Sequence, residues 1–369
     1  LLADARRLLD SSTGGDSGGA IDVRLAEMLV LKRANRFDDA EAAARGAIAR
    51  IEALYGPDSL KLAYPLELLG SLLMEVRSRP ANAIEPLERS IEIRRKHSFR
   101  RDTRLATSFA LLGEAYAGVN RYADAQRVLD EGERAIPADD DATLFYFLFR
   151  RLAFEQQAEY WVAAEADARR VFELSRKLYG DKVSYTWQAA AIRGHALASL
   201  GRHAEAEATL VEARERMRAA VGDDAYDNFL PASLLGIARL FAGRPQDALE
   251  PLRSALAITE SAFDKRSSQW ADNAINLAEA LLLLPGDAAE QEAAALVDAA
   301  HANYTALDDQ IGLAKVLIDR GILQLRRGAH SAGIADLDQA ESLLRADGGS
   351  YDIDLARIAS ARAAAGRKP

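Results

Sequence analysis

Five histidines are the first places to look for chemistry, and none has a partner at a useful spacing. A metal-binding or catalytic histidine needs a second ligand, base or carboxylate at a fixed offset, as in His-Glu-x-x-His, and no such pattern occurs. There is no Gly-rich phosphate loop closed by Lys-Ser/Thr, and no Gly-x-Ser-x-Gly nucleophile turn. The absence of cysteine excludes disulfides, thiolate–metal sites and cysteine nucleophiles. Acidic runs occur at Asp38-Asp39, at 139–141 and at Asp223-Asp224, but they fall at turns, where carboxylates cap helices. Nothing in the sequence gives one of them the burial that a general acid requires. No catalytic, metal or cofactor residue is assigned, and the chain is read as a non-enzyme.

Two clusters suit binding instead. The run Arg94-Arg95-Lys96-His97-Ser98-Phe99-Arg100-Arg101, with Arg104 nearby, is the strong basic patch of an otherwise acidic chain of net charge −9. Arg94, Arg95, Lys96, Arg100 and Arg101 are candidate contacts to anionic lipid or an acidic partner; the plainer reading is a solvated, self-repelling joint. The acidic balance argues against nucleic acid as a partner. The second cluster is Leu144-Phe145-Tyr146-Phe147-Leu148-Phe149, apolar almost all round, so a helix here must cover every side. Register puts Tyr146 and Phe149 one turn apart, with Glu114, Gln188 and His195 on the same wall of neighbouring segments. These five residues form the candidate partner groove, aromatics beside polar groups that orient a peptide. His203 and His330 take the place held elsewhere by Phe37, Tyr122 or Trp161, an aromatic sealing a turn, while His97 and His301 lie among charges.

These residues are positioned by a recurring pair of amphipathic helices. In 109–137, Phe109, Leu112, Gly113 and Tyr116 share one helical face, and Ala125, Leu129 and Gly132 share the next. Asn120-Arg121 turns between them and Pro137 ends the pair. From about Ile21 the unit recurs eight times at spacings of about 42 residues. Where the first helix carries Gly (70, 113, 194, 236, 321), the matching second-helix position is Leu (87, 129, 210, 252, 337). Where it carries Met28 or Leu152, the match shrinks to Ala44 or Ala168, and Ala278 meets Val297. Conserved volume at a close helix approach predicts this exchange.

The unit resembles a tetratricopeptide repeat: an aromatic, Leu-Gly, Tyr three on, then Ala, a large apolar residue, a small one and Pro. Its length and the joints Leu54-Tyr55-Gly56-Pro57-Asp58, Leu178-Tyr179-Gly180-Asp181 and Val221-Gly222-Asp223 resemble the long repeats of kinesin light chains. There Gly closes one helix and Asp or Ser caps the next. The resemblance implies an all-α fold, an α-α superhelix (solenoid) of about eight helix pairs, with Leu355, Ile358, Ala361 and Ala365 of a last helix capping its end. The expected organisation is an N-terminal helix and Gly/Ser-rich linker over 1–20, eight repeats over 21–349, and the cap and tail over 350–369. Repeats two and seven carry extra turn residues near Arg79-Pro80 and Pro285-Gly286-Asp287.

The resemblance also implies a protein or peptide partner in the concave groove lined by first helices. A carboxylate clamp is not expected, because only Asn276 and Lys315 stand in clamp-like places, while Ser233, Ile237 and Asp319 hold the others. Ala/Arg-rich 42-residue arrays look like the regions that follow the kinase domain in bacterial serine/threonine kinases, so a sensor or docking role is expected, in the periplasm or the cytoplasm. A stand-alone cytoplasmic adaptor is the alternative. The start at Leu1 suggests a piece of a longer protein, and no apolar run in it is long enough to span a bilayer. The partner and the oligomeric state are not readable.

Overall fold

The computed structural model describes residues 18–34, 36–75, 80–97, 103–223 and 225–366. Among them are seventeen α-helices, three single-turn 3-10 segments and no strand. The helices alternate as first and second members of repeats. Repeat one is α1 (Gly18–Arg33) and α2 (Phe37–Tyr55); two is α3 (Ala63–Glu75) and α4 (Pro80–His97); three is α5 (Thr103–Ala117) and α6 (Tyr122–Ala135). Repeat four is α7 (Asp141–Gln157) and α8 (Trp161–Tyr179), and five is α9 (Ser184–Ser199) and α10 (His203–Val221). Then come α11 (Phe229–Phe241) with α12 (Pro245–Phe263), α13 (Ser268–Leu282) with α14 (Asp287–Leu307), and α15 (Gln310–Arg326) with α16 (His330–Asp347). A single helix, α17 (Asp352–Ala365), follows.

The chain divides into two compact units, residues 1–154 and 155–369. In each, a first helix packs on the second helix of its own repeat, which packs on the first helix of the next. In the second unit the first helices α9, α11, α13 and α15, then α17, also touch in sequence. Residues 1–17, which hold the N-terminal amphipathic stretch and most of the expected linker, lie outside the described residues, as do Arg79 and the tail 367–369. Gly18 and Gly19, assigned to the linker by composition, instead open α1.

The close helix approach is where the size exchange placed it. A Cβ built on Gly113 would stand 2.6 Å from Leu129 Cγ, and one on Gly70, Gly194 or Gly236 would stand 2.5, 2.5 or 2.4 Å from Cγ of Leu87, Leu210 or Leu252. At Gly321 the distance to Leu337 Cγ is 3.0 Å. Each leucine therefore occupies the volume the glycine vacates, and all five leucines are buried. Met28 and Ala44 are fully enclosed in the first unit, as are Ala278 and Val297 in the second.

The joints hold one correction. Gly56, Gly180 and Gly222 cap α2, α8 and α10 at positive φ, as expected. The aspartates that follow do not cap the next helix. Asp181 instead pairs with Arg176 and Asp223 with Arg218, each at 2.7 Å, one turn back on the helix just closed. Ser267 and Asp309 do cap, accepting from Trp270 N and Gly312 N.

The last helix closes the second unit. Ile358 of α17 is 1% exposed against Leu317, Ile318, Leu337 and Leu344, and Leu355, Ala361 and Ala365 pack around it. Burying one such isoleucine contributes roughly 1.5–3 kcal/mol.

Candidate functional site

The basic run is built inward more than outward. Arg94 lies seven residues after Leu87, on the buried stripe Ala83, Leu87, Ser90 of α4, so its guanidinium points into the core. It donates to Glu67 of α3 at 2.7 Å, and Ser90 and Ser108 donate to the same carboxylate. Arg94 is therefore a buried structural cation, which corrects its reading as a partner contact. Arg95 pairs with Glu131 and sits over the Phe109 ring, and Lys96 reaches Asp58 and Glu92, each at 3.0 Å. Hydrogen bonds to Glu92 and Asp58 raise the Lys96 pKa. These side chains fasten α4 to the preceding joint and to α6, which leaves less free charge than the sequence suggests. Arg100 and Arg101 lie outside the described residues.

The five groove residues fall in two units. In the first, Arg150 links Glu114 to Tyr146. Its guanidinium donates to both Glu114 oxygens, at 2.6 and 2.5 Å, and to the Tyr146 hydroxyl at 2.9 Å. Tyr146 is exposed, and Phe149 is half-buried with its ring 5.9 Å from that of Phe145. Arg150 was missed by sequence reading, although it stands four residues after Tyr146, one turn along the same face.

In the second unit, Gln188 of α9 donates to Asp227 at 3.0 Å. His195 does not present a charge to a ligand. Its ring lies edge-on to Trp161 at 5.1 Å and stacks near Phe241 at 6.4 Å. Its Nδ1 is buried without a hydrogen-bond partner, and burial lowers its pKa to about 4. The reading of His195 as a polar orienting group is corrected: it is a neutral member of an aromatic stack. The sign of its acid response follows. The unfolded state takes up the proton first, so the stability His195 contributes is lost as pH falls from about 6.5 through 4. His195→Phe should keep the stack and flatten this acid-side loss relative to wild type in thermal melts between those values; parallel pH profiles would place the ring in water.

A further site lies in the second unit, where the C-terminal ends of α13, α15 and α17 converge with the start of α16 on a cavity of about 390 Å³. Its apolar wall includes Leu282, Leu283, Ile322 and Leu325, and Glu279, Arg326, His330 and Arg357 supply the main polar groups. Behind it Asp319 is fully buried, with Arg357 Nη2 2.5 Å from one oxygen and the other oxygen unpartnered. Burial pushes the Asp319 carboxyl up to about 6 despite the attraction of Arg357. Glu279 stands 3.6 Å from Arg357 Nε. Sequence reading missed this site because α13, α15 and α17 are about 40 residues apart in the chain and meet only through stacking.

Among the described residues no group of acidic or histidine side chains is arranged to hold a metal ion, and no helix is long and apolar enough to cross a membrane. Residues 187–261 and 29–60 match tetratricopeptide repeat family models. The chain thus carries tetratricopeptide repeats, a class of helical array that binds protein or peptide partners. No curated protein matches the sequence. Solved structures show the same fold. Aspartyl phosphate phosphatase F from Bacillus subtilis aligns with TM-score 0.57 at 16% identity, over 88% of this chain and 85% of its own. A Rap protein complexed with competence and sporulation factor gives 0.55 at 18%, over 89% and 90%. Yeast Tom70 gives 0.54 at 15%, over 89% and 60%. At such identities the likeness is one of fold.

Proposed function

We propose that this chain is a protein- or peptide-binding repeat array that serves as the docking or sensor region of a bacterial signalling protein, such as a serine/threonine kinase. The observation that carries the binding reading is the cavity at the ends of α13, α15 and α17, walled by apolar side chains on the first-helix side of the stack. Leu283 stands at it 57% exposed, continuous with the apolar wall formed by Leu282, Ile322 and Leu325. The kinase association and the sensor role both rest on the resemblance of the 42-residue units.

A peptide array tests the binding reading. The wild-type chain should retain a subset of immobilised peptides, and Leu283→Asp should lose most of that retention while its melting temperature stays near wild type, since the side chain is largely solvated. Retention unchanged by Leu283→Asp moves the binding surface elsewhere, with the exposed Tyr146 and its Arg150–Glu114 pair as the next candidate. A kinase assay on the parent polypeptide, with and without residues 18–366, tests the signalling role; phosphotransfer activity that is absent in both removes it.

A further inference from the structure

We infer that the cavity between α13, α15 and α17 selects a peptide in which a large apolar residue is followed within one or two positions by a carboxylate, and that Arg326 holds that carboxylate. The inference deepens the proposed binding function and rests on it.

The volume sets the first condition. About 390 Å³ is at the small end of ligand pockets, which run from roughly 300 to 1,000 Å³. That is room for one or two side chains and not for a docked helix. The walls set the second: Leu282, Leu283, Ile322 and Leu325 offer an apolar side chain a hydrophobic surface.

Charge sets the third. Four ionisable groups face the space: Glu279, Arg357, Arg326 and His330. Arg357 is shared within the fold by Asp319, by Glu279 at 3.6 Å and by Asp354 at 3.8 Å, so it presents no unmatched positive charge to a visitor. Arg326 is different. Its neighbour Arg327 pairs with Glu290 at 2.9 Å, and Arg320 of the same helix grips both oxygens of Asp336, at 2.7 and 2.8 Å. Arg326 has no ion-pair or hydrogen-bond partner among the described residues and is exposed at the cavity edge, as is His330. In a chain of net charge −9, where most arginines are matched to a carboxylate, an unmatched guanidinium beside an apolar slot is the complement of an acidic–apolar segment. A basic–apolar segment meets two like-charged or donor groups there.

The test is an array of immobilised octapeptides in which a central Leu or Phe is followed by Glu, Gln or Lys, probed with the full chain. Wild type should retain the Glu series over the Lys series by about tenfold, the scale of one charge-assisted contact. Arg326→Glu should reverse that order, and Arg326→Gln should level it. Neither change should move the melting temperature, since Arg326 is exposed and unpaired in the fold. Wild type preferring Lys or Gln, or an Arg326→Glu variant that keeps the wild-type order, overturns the assignment. Peptides retained without regard to Leu283 or Arg326 leave the binding function standing and sink this site. Retention of no peptide in any series sinks both. Uptake of decanoate with no peptide retained, or a dimer that Leu283→Asp dissociates, gives the slot another occupant and likewise overturns the inference.

Discussion

Leu129→Ala should destabilise the first unit by about 2–5 kcal/mol, because it empties the volume beside Gly113 that no neighbour can refill. Leu129 is 1% exposed and its branch fills the space a Gly113 side chain would need, so the cavity would be enclosed. The converse change, Gly113→Leu, drives a side chain into atoms 2.6 Å from its own Cβ and should cost roughly 1–3 kcal/mol. Gly113→Leu with Leu129→Ala together mimic the large-first, small-second arrangement of Met28 with Ala44, where both residues are fully enclosed. The double variant should recover part of the summed loss in denaturant melts. Strict additivity of the two single changes would mean that the two helices relax independently.

Arg357→Met should be at least as costly, at about 3–5 kcal/mol at neutral pH, because it leaves the buried Asp319 carboxylate without its cation. Asp319 is fully buried, and Arg357 is the partner that reaches it. The pH dependence has a definite sign. The folded-state pKa of Asp319 is raised from 3.8 to about 6, so the stability this carboxyl contributes is complete below about 4 and is lost as pH rises through 6. A displacement of that size corresponds to on the order of 3 kcal/mol. Asp319→Asn keeps a hydrogen-bond acceptor for Arg357 and removes the titration. Wild type should therefore lose stability relative to Asp319→Asn between pH 4 and 6, and the Arg357→Met penalty should shrink on the acid side of that window. Equal melting profiles for wild type and Asp319→Asn across it would show that the carboxyl titrates normally.

The parts of this fold that were legible in the sequence are those with a local or strictly periodic cause. A glycine opposite a leucine at a fixed offset is readable because one number, the distance between helices, fixes both sizes. Gly56, Gly180 and Gly222 are readable because a positive-φ residue is needed to close those helices; inside the repeats Gly201, Gly243 and Gly328 hold positive φ at the turns, as Asn120 and Glu159 do in theirs. Less of the candidate site was readable. A basic run looks the same whether it is solvated or, like Arg94, turned onto a carboxylate 27 residues away. The spacing of Arg94 from Leu87 and Ala83 carried the signal, overridden by its charge. His195 misled in the same manner, since a lone histidine on a helix does not announce the Trp161 and Phe241 rings around it. The cavity needed three helices, and no single stretch of chain contains it.

The glycine–leucine exchange also bears on how such an array can lengthen or shorten. Both halves of each lock lie in one repeat, within about 20 residues, so unequal crossing-over at the 42-residue register carries a module together with its own counterpart. Duplication or deletion then leaves the interior of every copy filled and leaves only the faces between copies to be matched. The same exchange shifted by half a module would join a Gly113-type first helix to an Ala44-type second helix and open a hole, so selection would favour breakpoints in the joints at Gly56, Gly180 and Gly222 over breakpoints in the turns.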